Sequence, residues 1–193
     1  LLLNEWLLNI EKRKDYIPKL LNELKDILNL KNPPRLIEAF DISHLGGTNT
    51  VASMVVFKDG RPFKSAYRKF NIKVGQIDDF ESMREVVYRR YKRQLKEGNQ
   101  LPDLILIDGG KGQLSSALES LKNLSLELPI VALAKRLEEL FLPGQKESLR
   151  IAKNSPALNI LKQLREDAHR FAITFQRQKR TKGIAKSKFE DIP

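Results

Sequence analysis

Two fully apolar segments flanking a helical one restrict the fold more than any other feature of this sequence. Leu104 to Ile107 (LILI) ends in Asp108-Gly109-Gly110 and leads into residues 111–124, where Leu114, Ala117, Leu118 and Leu121 recur at helical spacing. Pro129 to Ala134 (PIVALA) follows. A strand apolar on both sides needs cover on both sides, as parallel strands have in a sheet flanked by helices. The preceding segment has a different texture. Leu36 to Ile42 (LIEAFDI), Val51 to Phe57 (VASMVVF) and Ser65 to Ile72 (SAYRKFNI) read as three consecutive strands. Gly46, Gly47 and Asn49 fall in the first turn, and Asp59-Gly60 is a hairpin signal for the second.

Asp78 to Glu97 reads as a helix capped by Asp78 or Asp79. Met83, Val86, Val87 and Tyr91 form its apolar face, and Arg84, Arg89, Arg90, Lys92, Arg93 and Lys96 form the opposite one. Residues 136–154 suggest a small hairpin around Gly144. Ser155-Pro156 then starts a last helix, expected to run to about Phe175. The order β-β-β-α-β-α-β-α predicts an α/β fold. Its mixed sheet combines an antiparallel three-strand meander with parallel strands and is flanked by helices.

Residues 1–30 read as a helical arm divided by Pro18 and closed by Asn32-Pro33-Pro34. The basic stretch from Gln176 onwards, with Arg177, Lys179, Arg180, Lys182, Lys186 and Lys188, reads as a mobile tail. A length of 193 residues suits one domain with appendages. The expected division is an arm at 1–34, an α/β domain at 35–180 and a basic tail at 181–193. The lack of an initiator Met suggests a fragment of a longer protein. There is no cysteine, which excludes disulfides, thiolate metal sites and a Cys nucleophile. No apolar run is long enough to span a membrane, and the N-terminus lacks the basic start and cleavage site of a signal peptide. A cytoplasmic monomer is expected.

The formal charge is +11, from 35 basic and 24 acidic residues, which points to a polyanionic partner. Asp41 lies within the apolar first strand and Asp108 ends the fourth. These two strands are neighbours in the predicted order, and ligands in α/β sheets bind beyond the carboxyl ends of strands where their order switches. Crowded carboxylates repel each other, and a bound divalent cation with a preference for oxygen, Mg²⁺ or Mn²⁺, relieves this. His169, in the last helix, is expected to share the buried face of Leu158 and to reach the two aspartates, where an imidazole can ligate metal or move a proton. Asp108-Gly109-Gly110-Lys111-Gly112 lacks the spacing of a nucleotide P-loop, but a strand-to-helix turn presents free N–H groups. Lys111, Arg89, Arg90, Arg177 and Arg180 are candidate phosphate contacts.

Five stretches together, IEAFDISHLGG (37–47), DDFESMREVVYRRY (78–91), PDLILIDGGKGQL (102–114), PIVALAK (129–135) and REDAHRFAITFQR (165–177), resemble the C-terminal RNase H-like endonuclease domain of the bacterial UvrC excinuclease family. The resemblance covers roughly residues 35–180. It implies a metal-dependent DNA endonuclease that makes the cut 5′ to a lesion in nucleotide excision repair, acting on damaged duplex DNA and working with UvrB in the full-length protein. It carries the family's Asp-Asp-His set onto Asp41, Asp108 and His169, with a further acidic position at Asp79. It also implies that Phe189 to Pro193 begins a helix-hairpin-helix module. Two other functions fit less well: a guide-directed Asp-Asp-His nuclease, which needs a longer chain, and a non-catalytic nucleic-acid-binding scaffold, which has no need of an intact set.

Overall fold

A computed structural model describes residues 17–45, 49–72, 78–135 and 139–190. Among them, β1 (Leu36–Leu45) pairs antiparallel with β2 (Asn49–Lys58) and parallel with β5 (Leu104–Asp108). On the far side of β5 lie β6 (Ile130–Leu133), parallel, and then β7 (Leu140–Phe141), antiparallel. On the far side of β2 lie two short antiparallel strands, β3 (Arg61–Pro62) and β4 (Arg68–Asn71). The resulting order is β3-β2-β1-β5-β6-β7, with β4 also on β2. This is the mixed sheet predicted above, with the first and fourth predicted strands adjacent.

Successive side chains of a strand face opposite sides of a sheet. Ile37 and Ala39 therefore join one buried cluster with Leu104 and Leu106, while Phe40 joins the other with Ile105 and Ile107. The first cluster is covered by α1 (Lys19–Ile27) and α4 (Pro156–Glu190), and the second by α2 (Asp79–Glu97) and α3 (Lys111–Asn123).

Three boundaries differ from expectation. The third predicted strand, 65–72, is shortened to β4: Ser65 and Ala66 belong to a 3₁₀ turn at Lys64–Ala66, and a separate two-residue strand, β3, precedes that turn. Pro62 cannot donate to a ladder, which confines it to a strand edge, and the Phe63 N–H donates to Val56 O at 2.7 Å before the chain turns away. The Asp59-Gly60 hairpin does form. Both residues have positive φ (51° and 78°), the pair of conformations a two-residue hairpin of this kind needs.

The described part of the predicted arm, from residue 17 onwards, packs on the sheet. Leu21, Leu24 and Leu28 are buried in the same cluster as α4, and Ser155 Oγ donates to Glu23 at 2.6 Å where α4 begins. Residues 1–16, and Gly46 and Gly47 of the first turn, lie outside the described residues. The last helix does not stop near Phe175. The basic stretch expected as a mobile tail is instead helical to Glu190. No described helix is long and apolar enough to cross a membrane.

Candidate active site

Phe40 of β1 pairs with Ile107 of β5, so Asp41 and Asp108 take the next positions along two adjacent parallel strands. Both fall on the face covered by α4, because each is one residue beyond a side chain of the opposite cluster. Asp41 is 5% exposed, and Asp108 is half-buried. α4 crosses this end of the sheet and brings His169 Nδ1 to 3.5 Å from Asp41 Oδ2.

Ser53 holds the helix there. It lies opposite Asp41 in the β1–β2 ladder and donates to the carbonyl of Ala168 at 2.8 Å, from a fully buried position. Ser43, two residues beyond Asp41, donates to Asp41 Oδ2 at 2.9 Å.

His169 does not share the fully buried face, as the eleven-residue spacing from Leu158 had suggested. Its side chain is 46% exposed. At 3.6 residues per turn, the buried stripe of α4 centres near Leu161, Leu164, Ala168 and Ala172, and His169 stands about 100° from Ala168. Leu158 is itself at the stripe's margin, so a residue in phase with it is a rim residue. The imidazole is therefore held at one edge by Asp41 and open to solvent at the other.

Burial pushes the Asp41 carboxyl up from its ordinary range, opposed by the Ser43 hydrogen bond and by the nearby His169 and Lys135. Burial, and then the neighbouring Asp41, push Asp108 up to about 6, while Arg165, Lys135 and His169 pull it back. Arg165 is one turn before His169 on α4, and its Nη1 is buried with no hydrogen-bond partner among the described residues. Two strained carboxylates thus sit among three nitrogen-bearing side chains, one of them with an unused donor.

Asp79 is the first residue of α2, half-buried on the other helical layer. Asp78 is the cap, accepting from the Phe80 N–H at 2.8 Å. The structure therefore groups Asp41, Asp108 and His169, and places Asp79 on the facing layer. Phe80 lies against Gly112 of α3, where a Cβ would meet the ring at 2.2 Å. Gly112→Ala is expected to cost about 1–3 kcal/mol from overpacking. Phe80 is 44% exposed and has room to swing, which favours the lower end. Phe80→Ala in the same chain should recover most of the loss, and thermal melts of the single and double variants check this.

The candidate phosphate contacts divide. Lys111 is exposed at the start of α3, donates to Lys146 O and lies 5.5 Å from the Phe141 ring centroid. Arg89 Nη1 donates to Asn71 O and to Glu85, both at 2.8 Å. Arg90 is not free for a phosphate. It binds Glu38, which is 1% exposed, at 2.6 Å and 3.3 Å, and Tyr91 donates to the same carboxylate at 2.9 Å. The side chains of Arg177 and Arg180 lie outside the described residues.

A family model described as the UvrC RNase H endonuclease domain matches residues 25–173, from within α1 to beyond His169. This chain belongs to that family. It is 52% identical over 189 residues to the UvrABC system protein C of Flavobacterium psychrophilum, covering 96% of this chain and 32% of that protein. It is 47% identical to that of Salinibacter ruber, covering 97% of this chain and 31% of that protein. It is 52% identical to that of Methanosarcina acetivorans, covering 87% and 33%. The chain thus spans about a third of the length of the curated relatives it matches. A looser likeness, TM-score 0.41 at 15% identity over 76% of this chain and 65% of the other, is to a crystal structure of Ciona intestinalis endonuclease V in complex with DNA containing an inosine followed by a ribo-adenosine.

The UvrC RNase H match takes in the whole aspartate–histidine group, and also Ser43, Ser53, Lys135 and Arg165, which sequence reasoning passed over. Three of these were signalled. Ser43 shares a strand face with Asp41, Lys135 follows the carboxyl end of an apolar strand, and Arg165 is four residues before His169. Ser53 was not, because only the strand register puts it beside Asp41.

Proposed function

We propose that this chain is the part of a longer excision-repair protein that makes the 5′ incision in damaged duplex DNA, in partnership with UvrB, in the cytoplasm, with Mg²⁺ or Mn²⁺ as cofactor. The observation that carries this is the pair of carboxylates at the ends of adjacent parallel strands, both raised above their ordinary range by burial and Asp108 further by Asp41. Such a pair is relieved by a cation.

The donor set fits a hard ion. No three His, Asp or Glu side chains form a closed metal cage among the described residues. Mg²⁺ does not require one, because it is commonly held by one or two carboxylates together with waters and substrate phosphate oxygens. Asp41 and Asp108 would hold it. When bound, such an ion would supply charge neutralisation at phosphorus and would make water there more acidic.

The chain's own groups do the rest. Asp41 takes His169 at Nδ1, which leaves Nε2 as the imidazole atom that exchanges a proton with the attacking water or the leaving oxygen. Lys135 adds an exposed charge at the strand ends, suited to a phosphate oxygen, and Arg165 adds a positive charge near Asp108.

The test is incision of a duplex with a single bulky lesion, labelled at the 5′ end, by the full-length protein with UvrB. A metal-dependent cut on the 5′ side that Asp41→Asn removes is the expected result; a 5′-side cut that persists in EDTA, or in that variant, overturns the reading. His169→Ala is expected to slow incision about 100-fold, the scale of a lost acid–base group, with DNA affinity nearly unchanged. Single-turnover rates and a separate binding titration check both parts.

A further inference from the structure

A groove of about 1190 Å³ opens between the C-terminal half of α2 and the edge of the sheet formed by β2 and β4. It is on the α2 face, since Glu38 at its floor bonds Arg90 and Tyr91 of that helix. Glu38 precedes Asp41 by three residues on β1, about 10 Å at ~3.3 Å per residue. The groove is therefore one sheet thickness and about 10 Å away from the carboxylate pair.

Cations line both walls, and the carboxylates Glu97 and Asp103 also line the groove. The sheet-edge wall carries Lys58 and Arg68, and the helix wall carries Arg89 and Arg93. Residues 58–69 hold five cations (Lys58, Arg61, Lys64, Arg68, Lys69) against one carboxylate, Asp59, and that carboxylate is tied to Arg35 at 2.5 Å. Among the described residues, Arg68 Nη1 donates to backbone carbonyls, of Ser65 at 2.9 Å and Tyr67 at 2.8 Å, and to no carboxylate, so the side chain is aimed without a charged partner there. Lys58 Nζ lies 5.9 Å from the centroid of Phe63, an aromatic ring 43% exposed at the lip of the groove. Neither Lys58 nor Arg68 pairs with a carboxylate among the described residues. On the helix wall both cations are paired, Arg89 with Glu85 at 2.8 Å and Arg93 with Glu97 at 2.6 Å, in partly exposed i,i+4 pairs of little strength.

We propose that this groove is a second DNA contact, which takes the phosphate backbone of duplex lying outside the scissile stretch, with Phe63 resting on a sugar or base edge. The proposal rests on the DNA-incising reading above. Facing cationic walls with an exposed aromatic between them suit a backbone of dense, regular charge.

The test measures equilibrium binding of a fluorescent, lesion-free duplex to the full chain in EDTA across a salt series, so that it does not depend on incision. Lys58→Ala/Arg68→Ala is expected to reduce the log–log salt slope by about 2, at ~0.9 per phosphate contact, and to weaken binding about tenfold at low salt. Phe63→Ala should weaken binding without changing the slope. Lys122→Ala/Lys153→Ala, which removes two exposed cations elsewhere, should leave the slope unchanged. An unchanged slope in the Lys58/Arg68 variant overturns the proposal. So does a variant that loses binding to poly-glutamate while keeping DNA, which would assign the groove to an acidic protein segment. If the parent chain fails to cut lesion duplex yet the slope falls, the incision reading fails and the groove stands.

Discussion

Asp108→Asn should abolish incision and, in the same chain, raise stability at neutral pH. Burial and the neighbouring Asp41 lift this carboxyl from 3.8 to about 6. The sign follows from linkage. A folded-state value raised above the unfolded one favours the protonated form, so the group's stabilising contribution is present below about pH 4 and is lost as pH rises through about 6. Above that, the ionised carboxylate costs the fold on the order of 2–3 kcal/mol, at about 1.4 kcal/mol per unit. Asparagine keeps the shape and removes the charge. Urea melts in EDTA should therefore show the variant ahead of the parent at pH 7.5, with the gap closing towards pH 4. Adding Mn²⁺ should stabilise the parent far more than the variant, and incision should fall at least ~1000-fold for the loss of several kcal/mol of charge stabilisation at phosphorus. A variant less stable than its parent at pH 7.5 would mean that Arg165 and Lys135 already compensate Asp108, which would make the carboxylate a structural ion-pair partner.

The largest loss of stability is expected away from this site, at Glu38. Its side chain is 2% exposed, bonded to Arg90 through both oxygens and to the buried Tyr91 hydroxyl. Tyr91 titrates well above its ordinary range, first because it is buried and then because the Glu38 charge is beside it. Glu38→Ala leaves a nearly buried guanidinium and a buried hydroxyl without their acceptor. Breaking one side of a buried pair costs roughly 3–5 kcal/mol, or roughly 10 °C or more in melting temperature for a domain of this size. Replacing the whole cluster, Glu38→Leu with Arg90→Leu and Tyr91→Phe, should recover most of it, because removing both partners leaves no orphaned charge. A triple variant as unstable as the single one would show that the loss comes from packing on β1 and not from the ion pair.

The strand and helix order was legible because the apolar runs near 104 and 130 are apolar on both sides and the intervening helix is periodic. What escaped the periodicity was local. The 3₁₀ turn at Lys64–Ala66 takes the start of the third predicted strand and has no apolar signature, and the short β3 before it ends at Pro62, which withholds a donor. Leu21, Leu24 and Leu28 look like any amphipathic helix, and nothing in their spacing says that they cover the sheet.

In the site, Asp41 and Asp108 stood out as acids in apolar strands, and His169 as one of two histidines. Glu38 is also an acid in the first apolar strand, and its partner on α2 turns Arg90 from an expected phosphate contact into a structural one. A basic helix face read from sequence does not distinguish cations that face solvent from those that meet a carboxylate on another element.

The length of α4 has a consequence for whatever the chain carries beyond it. The helix that sets His169 against Asp41 continues without interruption to Glu190, about twenty residues or ~30 Å at ~1.5 Å each. A helix is a screw, so direction at its far end is tied to residue count. One residue inserted after His169 would advance the far end by only ~1.5 Å but turn it by about 100°. Four inserted residues would turn it by about 400°, nearly back into phase. The orientation of any following segment relative to the imidazole is thus encoded as an integer number of residues, and insertions here should be tolerated in steps near whole turns and resisted between them.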